Sequence, residues 1–188
     1  MRETIVDRAY AKTLLPPRKE DGHKGDFGKL LVLGGSVGYT GAPYLAASAA
    51  VHSGCGLVYL GVPESIWAVE AQKCVSAMPF PLPETDGRLC LAALDKMQDK
   101  LKGCDVLALG PGLGRGKETE QLVHALLWQV KEPLVLDADG INALSGHMDA
   151  LSLRRGRTTV LTPHEGEFLR AGGDLSRGRE RAAADFAA

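Results

Sequence analysis

Residues 29–54 read KLLVLGGSVGYTGAPYLAASAAVHSG, and the order of residue types in this stretch decides the fold. "KLLVLG" (29–34) is a short, unbroken apolar run closed by glycine, the pattern of a strand buried on both faces. "APYLAASAAVHSG" (42–54) is alanine-rich and stops at Gly54, which reads as a helix with its terminator. A strand without polar alternation needs cover on both sides, and a helix directly after it supplies the crossover of a parallel pair. The glycine-rich turn "GGSVGYTGAP" (34–43) between them therefore lies beyond the carboxyl end of a parallel strand.

The same alternation continues along the chain. "GLVYLGV" (56–62), "DVLALG" (105–110), "PLVLDAD" (133–139) and "TTVLTP" (158–163) read as strands. "CVSAMPF" (74–80) reads as a short strand before a proline-rich loop, "PLPETDG". Helices are expected over "ESIWAVEAQ" (64–72), "LCLAALDKMQDKL" (89–101) and the amphipathic "ETEQLVHALLWQV" (118–130). The prediction is an α/β fold, a mostly parallel sheet with helices on both faces. In such sheets ligands bind outside the carboxyl ends of the strands. The turn at 34–43, "GPGLGRG", "DADGIN" and "TPHEGE" all fall there, and their convergence on one edge points to an active site.

Composition narrows the functional classes. The 188 residues suit one domain, residues 1–188, with 1–24 as an N-terminal extension. The net charge of -1 and the lack of a basic block argue against nucleic acid as a partner. No apolar run reaches the roughly 20 residues that span a bilayer, and "MRETIVDRAYAKTLLPP" lacks signal-peptide architecture. No membrane association and a cytoplasmic location are therefore expected. Cys55, Cys74, Cys90 and Cys104 are scattered without a C-x-x-C pair, so reduced thiols are expected rather than disulfides or zinc. The 23 glycines are close to twice the usual share of about 7%, and most follow strand-like segments.

Generic nucleotide motifs fail. No lysine followed by Ser/Thr sits near Gly34–Gly41, and in "GPGLGRGKE" Glu118 stands where a P-loop needs Ser/Thr. Arg115 occupies the third glycine of a dinucleotide fingerprint after Gly110 and Gly112. These glycines could equally be tight turns that need positive φ. Asp137 and Asp139 would share a face if their strand extends that far. Two carboxylates near phosphates suit an indirectly held Mg²⁺, while Asp139 or Asn142 could equally just cap a helix. His164 and Glu167 open the next helix, where a carboxylate can serve the helix dipole alone. His23, His52, His124 and His147 are read as structural or solvated, without partners.

Taken together, "HKGDFGKLLVLGGSVGYTGAPYLAASAAVHSGCGLVYLGVP", "ALGPGLGR", "LVLDADGIN" and "LTPHEGEFLR" resemble the ADP-dependent NAD(P)H-hydrate dehydratases, from about Leu14 to the last residue. The resemblance implies a ribokinase-like fold. It also implies repair of S-NADHX and S-NADPHX, the hydrated nicotinamide nucleotides, to NADH and NADPH, with ADP as phosphoryl donor, Mg²⁺, and release of AMP and phosphate. By matching positions, it puts Ala42, a glycine of "GPGLG" (Gly114 rather than Gly112) and His164 on the dinucleotide. Asp137, Asn142 and Glu167 would lie near the phosphates and metal. Gly140 and Ile141 stand where the family often has Ala-Leu, and Glu165 where proline is common.

The family pattern continues with K-G-x-x-T and N-x-G-x-x-x-x-G-x-G-D, and neither occurs here. The expectation is thus a fold incomplete at its C-terminus, a catalytic aspartate beyond residue 188, and little activity for the chain alone. Exposed apolar surface would then favour association of copies, a homo-oligomer. A vitamin-precursor kinase of the same fold and a non-catalytic dinucleotide-binding protein are the alternatives.

Overall fold

Leu31, Val32 and Leu33 are fully buried at consecutive positions, so the strand they form is covered on both faces. The computed structural model describes residues 4–15, 17–18 and 20–188. Residues 1–3, 16 and 19 of the expected N-terminal extension lie outside the described residues. Within the extension, Asp7 caps a short helix, α1 (Arg8–Leu14), that buries none of its residues.

The strands are β1 (Lys29–Leu33), β2 (Leu57–Pro63), β3 (Met78–Leu82), β4 (Glu84–Thr85), β5 (Arg88–Leu89), β6 (Val106–Leu109), β7 (Leu134–Leu136) and β8 (Thr159–Leu161). The larger helices are α2 (Gly41–His52), α3 (Glu64–Lys73), α4 (Ala93–Gly103) and α5 (Lys117–Gln129), followed by α6 (Asp139–Asn142), α7 (Glu165–Arg170) and α8 (Arg179–Ala187). Six strands form one sheet in the order β3-β2-β1-β6-β7-β8, and every pairing in it is parallel.

Alternation along β1 divides the core. Val32 joins Val58, Leu60 and Val62 under Ala47 of α2 and Ile66 of α3. Leu31 and Leu33 face the other way, with Leu107, Leu109, Leu134 and Leu136, under Met97 and Leu101 of α4 and Leu122 and Leu126 of α5. Burying each such side chain contributes roughly 1.5–3 kcal/mol. The two helical layers on opposite faces are the expected α/β arrangement.

Two expectations need correction. "PLPETDG" is not a loop. Pro81 and Leu82 extend β3, and Glu84–Leu89 folds into the antiparallel β4–β5 hairpin. Asp86 and Gly87, with φ of 49° and 71°, give the left-handed pair that a two-residue hairpin turn requires. Leu89 consequently belongs to β5, and α4 starts only at Ala93. In the second correction, β7 ends at Leu136. Ala138 has a φ of 47°, which breaks the extended path, so Asp137 and Asp139 are not alternate residues of one strand.

At the opposite end of the sheet, Arg154 is buried and donates to the carbonyls of Val130 and Glu132 and to the Thr159 hydroxyl. It ties the loop before β7 to the start of β8. Among the described residues, no helix is long and apolar enough to cross a membrane.

Candidate active site

The strand order reverses direction between β1 and β6. Chain connections leave these two neighbours on opposite sides, and the crevice at such a switch point is where open α/β sheets bind ligands. The turns after β1 and after β6 therefore meet at the carboxyl edge. Gly35 N–H donates to the Pro111 carbonyl at 2.8 Å, and the buried Ser36 hydroxyl donates to the Gly112 carbonyl at 2.8 Å. A side chain at Gly112 would press on the Tyr39 carbonyl, and one at Gly114 on Ser36 Oγ and Arg88 Cδ. Both glycines have positive φ, 69° and 73°. A Cβ at Gly110 would overlap the Asp137 carbonyl. The glycines thus permit close packing of turn on turn as well as tight turns.

The third expected segment joins through Asp139. Its Oδ2 accepts the Gly114 amide at 2.9 Å and its Oδ1 accepts Asn142 Nδ2 at 3.2 Å. Asp139 makes no capping bond at α6; it anchors the turn after β6. Asn142 Oδ1 in turn accepts Arg170 Nε at 2.9 Å, which links α6 to α7. Asp137 stands apart from this chain of contacts, accepting from the Thr162 hydroxyl at 2.7 Å.

His164 and Glu167 form a capping box at the start of α7. His164 Nδ1 accepts from the amides of Gly166 and Glu167, while Glu167 Oε2 accepts the His164 amide at 3.0 Å. An Nδ1 that accepts places the proton of the neutral ring on Nε2. That nitrogen is 3.3 Å from Glu167 Oε1, on a side chain that is 66% exposed. Glu167 is buried, so it serves the helix start and offers little to a ligand. Ala42 is exposed on the first turn of α2, and no hydrogen bond connects that turn to His164 among the described residues.

Beyond Gly114 opens a cleft of about 730 Å³, bordered by Arg115, Lys117, His124, Asn142, His147 and Arg170. His124 and His147 were expected to lack partners. Instead their rings meet edge to face at 5.8 Å, and His124 Nε2 contacts the Ala143 carbonyl at 3.2 Å. His52 likewise contacts the Ser48 carbonyl, and His23 lies 3.1 Å from Asp26.

Sequence reasoning missed Ser36 and Arg88. Val37 N–H donates to Gly87 O, so the hairpin lies on the turn after β1 and brings Arg88 against Gly114 and Gly116. The Asp86-Gly87 dipeptide was the available signal.

The residues present form no ready-made metal cage. No group of three His, Cys, Asp or Glu side chains suited to a metal occurs among the described residues. Both oxygens of Asp139 and both of Glu167 already have partners. Among the described residues Asp137 engages only Oδ1, which leaves an oxygen that fits a water-mediated hold on Mg²⁺, an ion that usually retains several waters.

Residues 30–188 match the family model described as NAD(P)H-hydrate dehydratase. The chain belongs to the NAD(P)H-hydrate dehydratase family. Its fold is the ribokinase-like one that the motifs imply. The bifunctional NAD(P)H-hydrate repair enzyme Nnr of Moorella thermoacetica is 44% identical over 167 residues, covering 88% of this chain and 31% of that protein. The ADP-dependent (S)-NAD(P)H-hydrate dehydratase of Neisseria meningitidis is 37% identical, covering 81% of this chain and 48% of that one. Among solved structures, the ADP/ATP-dependent NAD(P)H-hydrate dehydratase of Bacillus subtilis, co-crystallized with ATP/Mg²⁺, superposes with a TM-score of 0.68 at 27% identity, covering 95% of this chain and 59% of that one. This family member thus spans between about a third and three-fifths of those relatives.

Proposed function

We propose that this chain supplies the dinucleotide side of an ADP-dependent (S)-NAD(P)H-hydrate dehydratase, which returns the hydrated nicotinamide nucleotide to NAD(P)H with release of AMP and phosphate. The observation that carries the reading is the seam between the turns after β1 and β6, closed by Gly35, Ser36, Pro111 and Gly112. It presents Ala42 and Gly114 at the switch-point crevice. Gly114 opens onto a cleft in which Arg115, Lys117 and Arg170 supply cations for the phosphates of a dinucleotide.

The chemistry needs an activated hydroxyl, because hydroxide is a poor leaving group and phosphate a good one. Phosphoryl transfer from ADP to the ring hydroxyl, which loses its proton, leaves AMP; the ring nitrogen's lone pair then expels phosphate, and loss of a proton from the adjacent ring carbon restores the conjugated dihydronicotinamide. Positioning and charge neutralisation are the main demands of such a transfer. In this reading Ala42 and Gly114 admit the ligand to the backbone, and His164 Nε2–H gives up its 3.3 Å contact with Glu167 Oε1 to donate a hydrogen bond to it. Asp137 would hold Mg²⁺ through water, and that ion would neutralise phosphate charge. No residue of this chain is given the role of general base.

The test is titration calorimetry of the 188-residue chain with (S)-NADPHX, beside Ala42→Phe. Ala42 is exposed, so phenylalanine projects into the crevice without disturbing the core. Dinucleotide binding should vanish while urea unfolding stays native. Native-like binding by Ala42→Phe would reject the proposal.

A further inference from the structure

Glu70, on α3, is completely buried. Its Oε1 lies 3.1 Å from Lys73 Nζ, and its Oε2 has no hydrogen-bond partner among the described residues. Lys73 Nζ also donates to the Thr40 carbonyl at 3.0 Å and to the Thr40 hydroxyl at 2.7 Å. An ammonium has three N–H groups, and here all three are engaged, two of them on one residue 33 positions away in the chain.

Stability does not account for this arrangement. A buried ion pair recovers its desolvation cost only with good geometry and further hydrogen bonds, and apolar replacement of both partners is often neutral or better. The unpartnered Oε2 makes this pair an expensive one. Its location suggests another role, because Thr40 directly precedes Gly41 and Ala42 of the dinucleotide turn. Thr40 is the N-cap residue of α2, where a threonine hydroxyl ordinarily accepts an amide of the first turn. It makes no such bond; its oxygen faces Lys73 instead. Pro43 has no N–H to offer at the third position of α2, so the first-turn amides without a partner within the helix are those of Gly41 and Ala42.

We infer that Lys73, oriented by Glu70, is a positioning residue that holds Thr40 in its non-capping conformation and so sets the backbone of Gly41–Ala42 for the ligand. Neither side chain touches the dinucleotide. The inference rests on the proposal that Ala42 meets the dinucleotide, but the strut has a readout of its own.

The experiment compares the native 188-residue chain with Lys73→Met, Thr40→Val and the double variant Lys73→Met/Glu70→Leu. The single lysine change strands a buried carboxylate and can unfold the chain, whereas the double variant removes both charges and keeps the fold testable. Two quantities are read: amide hydrogen exchange of Tyr44–Ala46 without ligand, and affinity for (S)-NADPHX by calorimetry. In the folded double variant, exchange at these amides should rise and affinity should fall about tenfold, the scale of losing two hydrogen bonds. Thr40→Val should show a smaller change in the same direction. Native exchange and native affinity in the folded double variant would overturn the strut. If the native chain binds no (S)-NADPHX, the dinucleotide proposal fails. In that case unchanged exchange would reject the strut as well, and faster exchange would leave it standing as a device that shapes this turn.

Discussion

Replacing His164 separates two roles that coincide in one ring. Nδ1 caps α7 by accepting from Gly166 and Glu167 at 3.0 and 3.4 Å, while Nε2–H, 3.3 Å from Glu167 Oε1 on an exposed side chain, exchanges that contact for the dinucleotide in the proposed complex. His164→Asn retains an acceptor close to the Nδ1 position and lacks a donor at the Nε2 position; His164→Ala lacks both. Loss of an N-cap costs about 1 kcal/mol, which lowers Tm by about 2–4 °C in a domain of this size. That loss should appear in His164→Ala and be largely absent from His164→Asn. Loss of one hydrogen bond to the ligand costs about 0.5–1.5 kcal/mol, or about two- to twelvefold in affinity, and should appear in both variants. Thermal unfolding and calorimetry with (S)-NADPHX read the two effects independently. Native affinity in His164→Asn would refute the ligand role of Nε2. Equal destabilisation of the two variants would refute the capping role of Nδ1.

Two further outcomes concern stability. Arg154→Leu strands the acceptors on Val130, Glu132 and Thr159 and should cost about 3–5 kcal/mol, seen as a lower urea midpoint at unchanged m; a loss below about 1 kcal/mol would show that water takes over these groups. Burial pushes the Cys104 thiol up from 9.0 to about 11, so between those values the folded chain holds a proton that the unfolded chain has released. Stability is then full below pH 9.0 and falls as pH rises toward about 11, by at most about 3 kcal/mol. Burial and the Glu70 charge raise Cys74 in the same direction. Urea midpoints at about pH 8 and about pH 10.5 should differ less in Cys104→Ala than in the native chain; equal differences would place the alkaline loss elsewhere.

Where sequence reading failed, the failures share a cause. Asp137 and Asp139 share a face only if strand periodicity carries past Leu136; Ala138, at positive φ where β7 meets α6, interrupts it. The β4–β5 hairpin was read through its prolines, and its Asp86-Gly87 turn was passed over. The family resemblance sets Glu167 near the phosphates, and the structure adds a second role, since the capping box of α7 engages its oxygens. His124 and His147 looked unrelated at 23 residues' separation until the chain between them folded their rings to 5.8 Å.

The amino-acid sequence alone sets the alternation of buried strands, glycine turns and helices, because apolar period and left-handed glycines act within a few residues of chain. It also dictates which turns reach the carboxyl edge, since parallel strands all leave that edge the same way, and its motifs carry the family. Tertiary packing is what sets β1 beside β6, so that Ser36 meets Gly112, 76 residues on, and brings Lys73 back to Thr40. Such pairings depend on strand order and on the angle at which α3 crosses the sheet. Packing sets both across the whole molecule, and no local pattern in the chain records them.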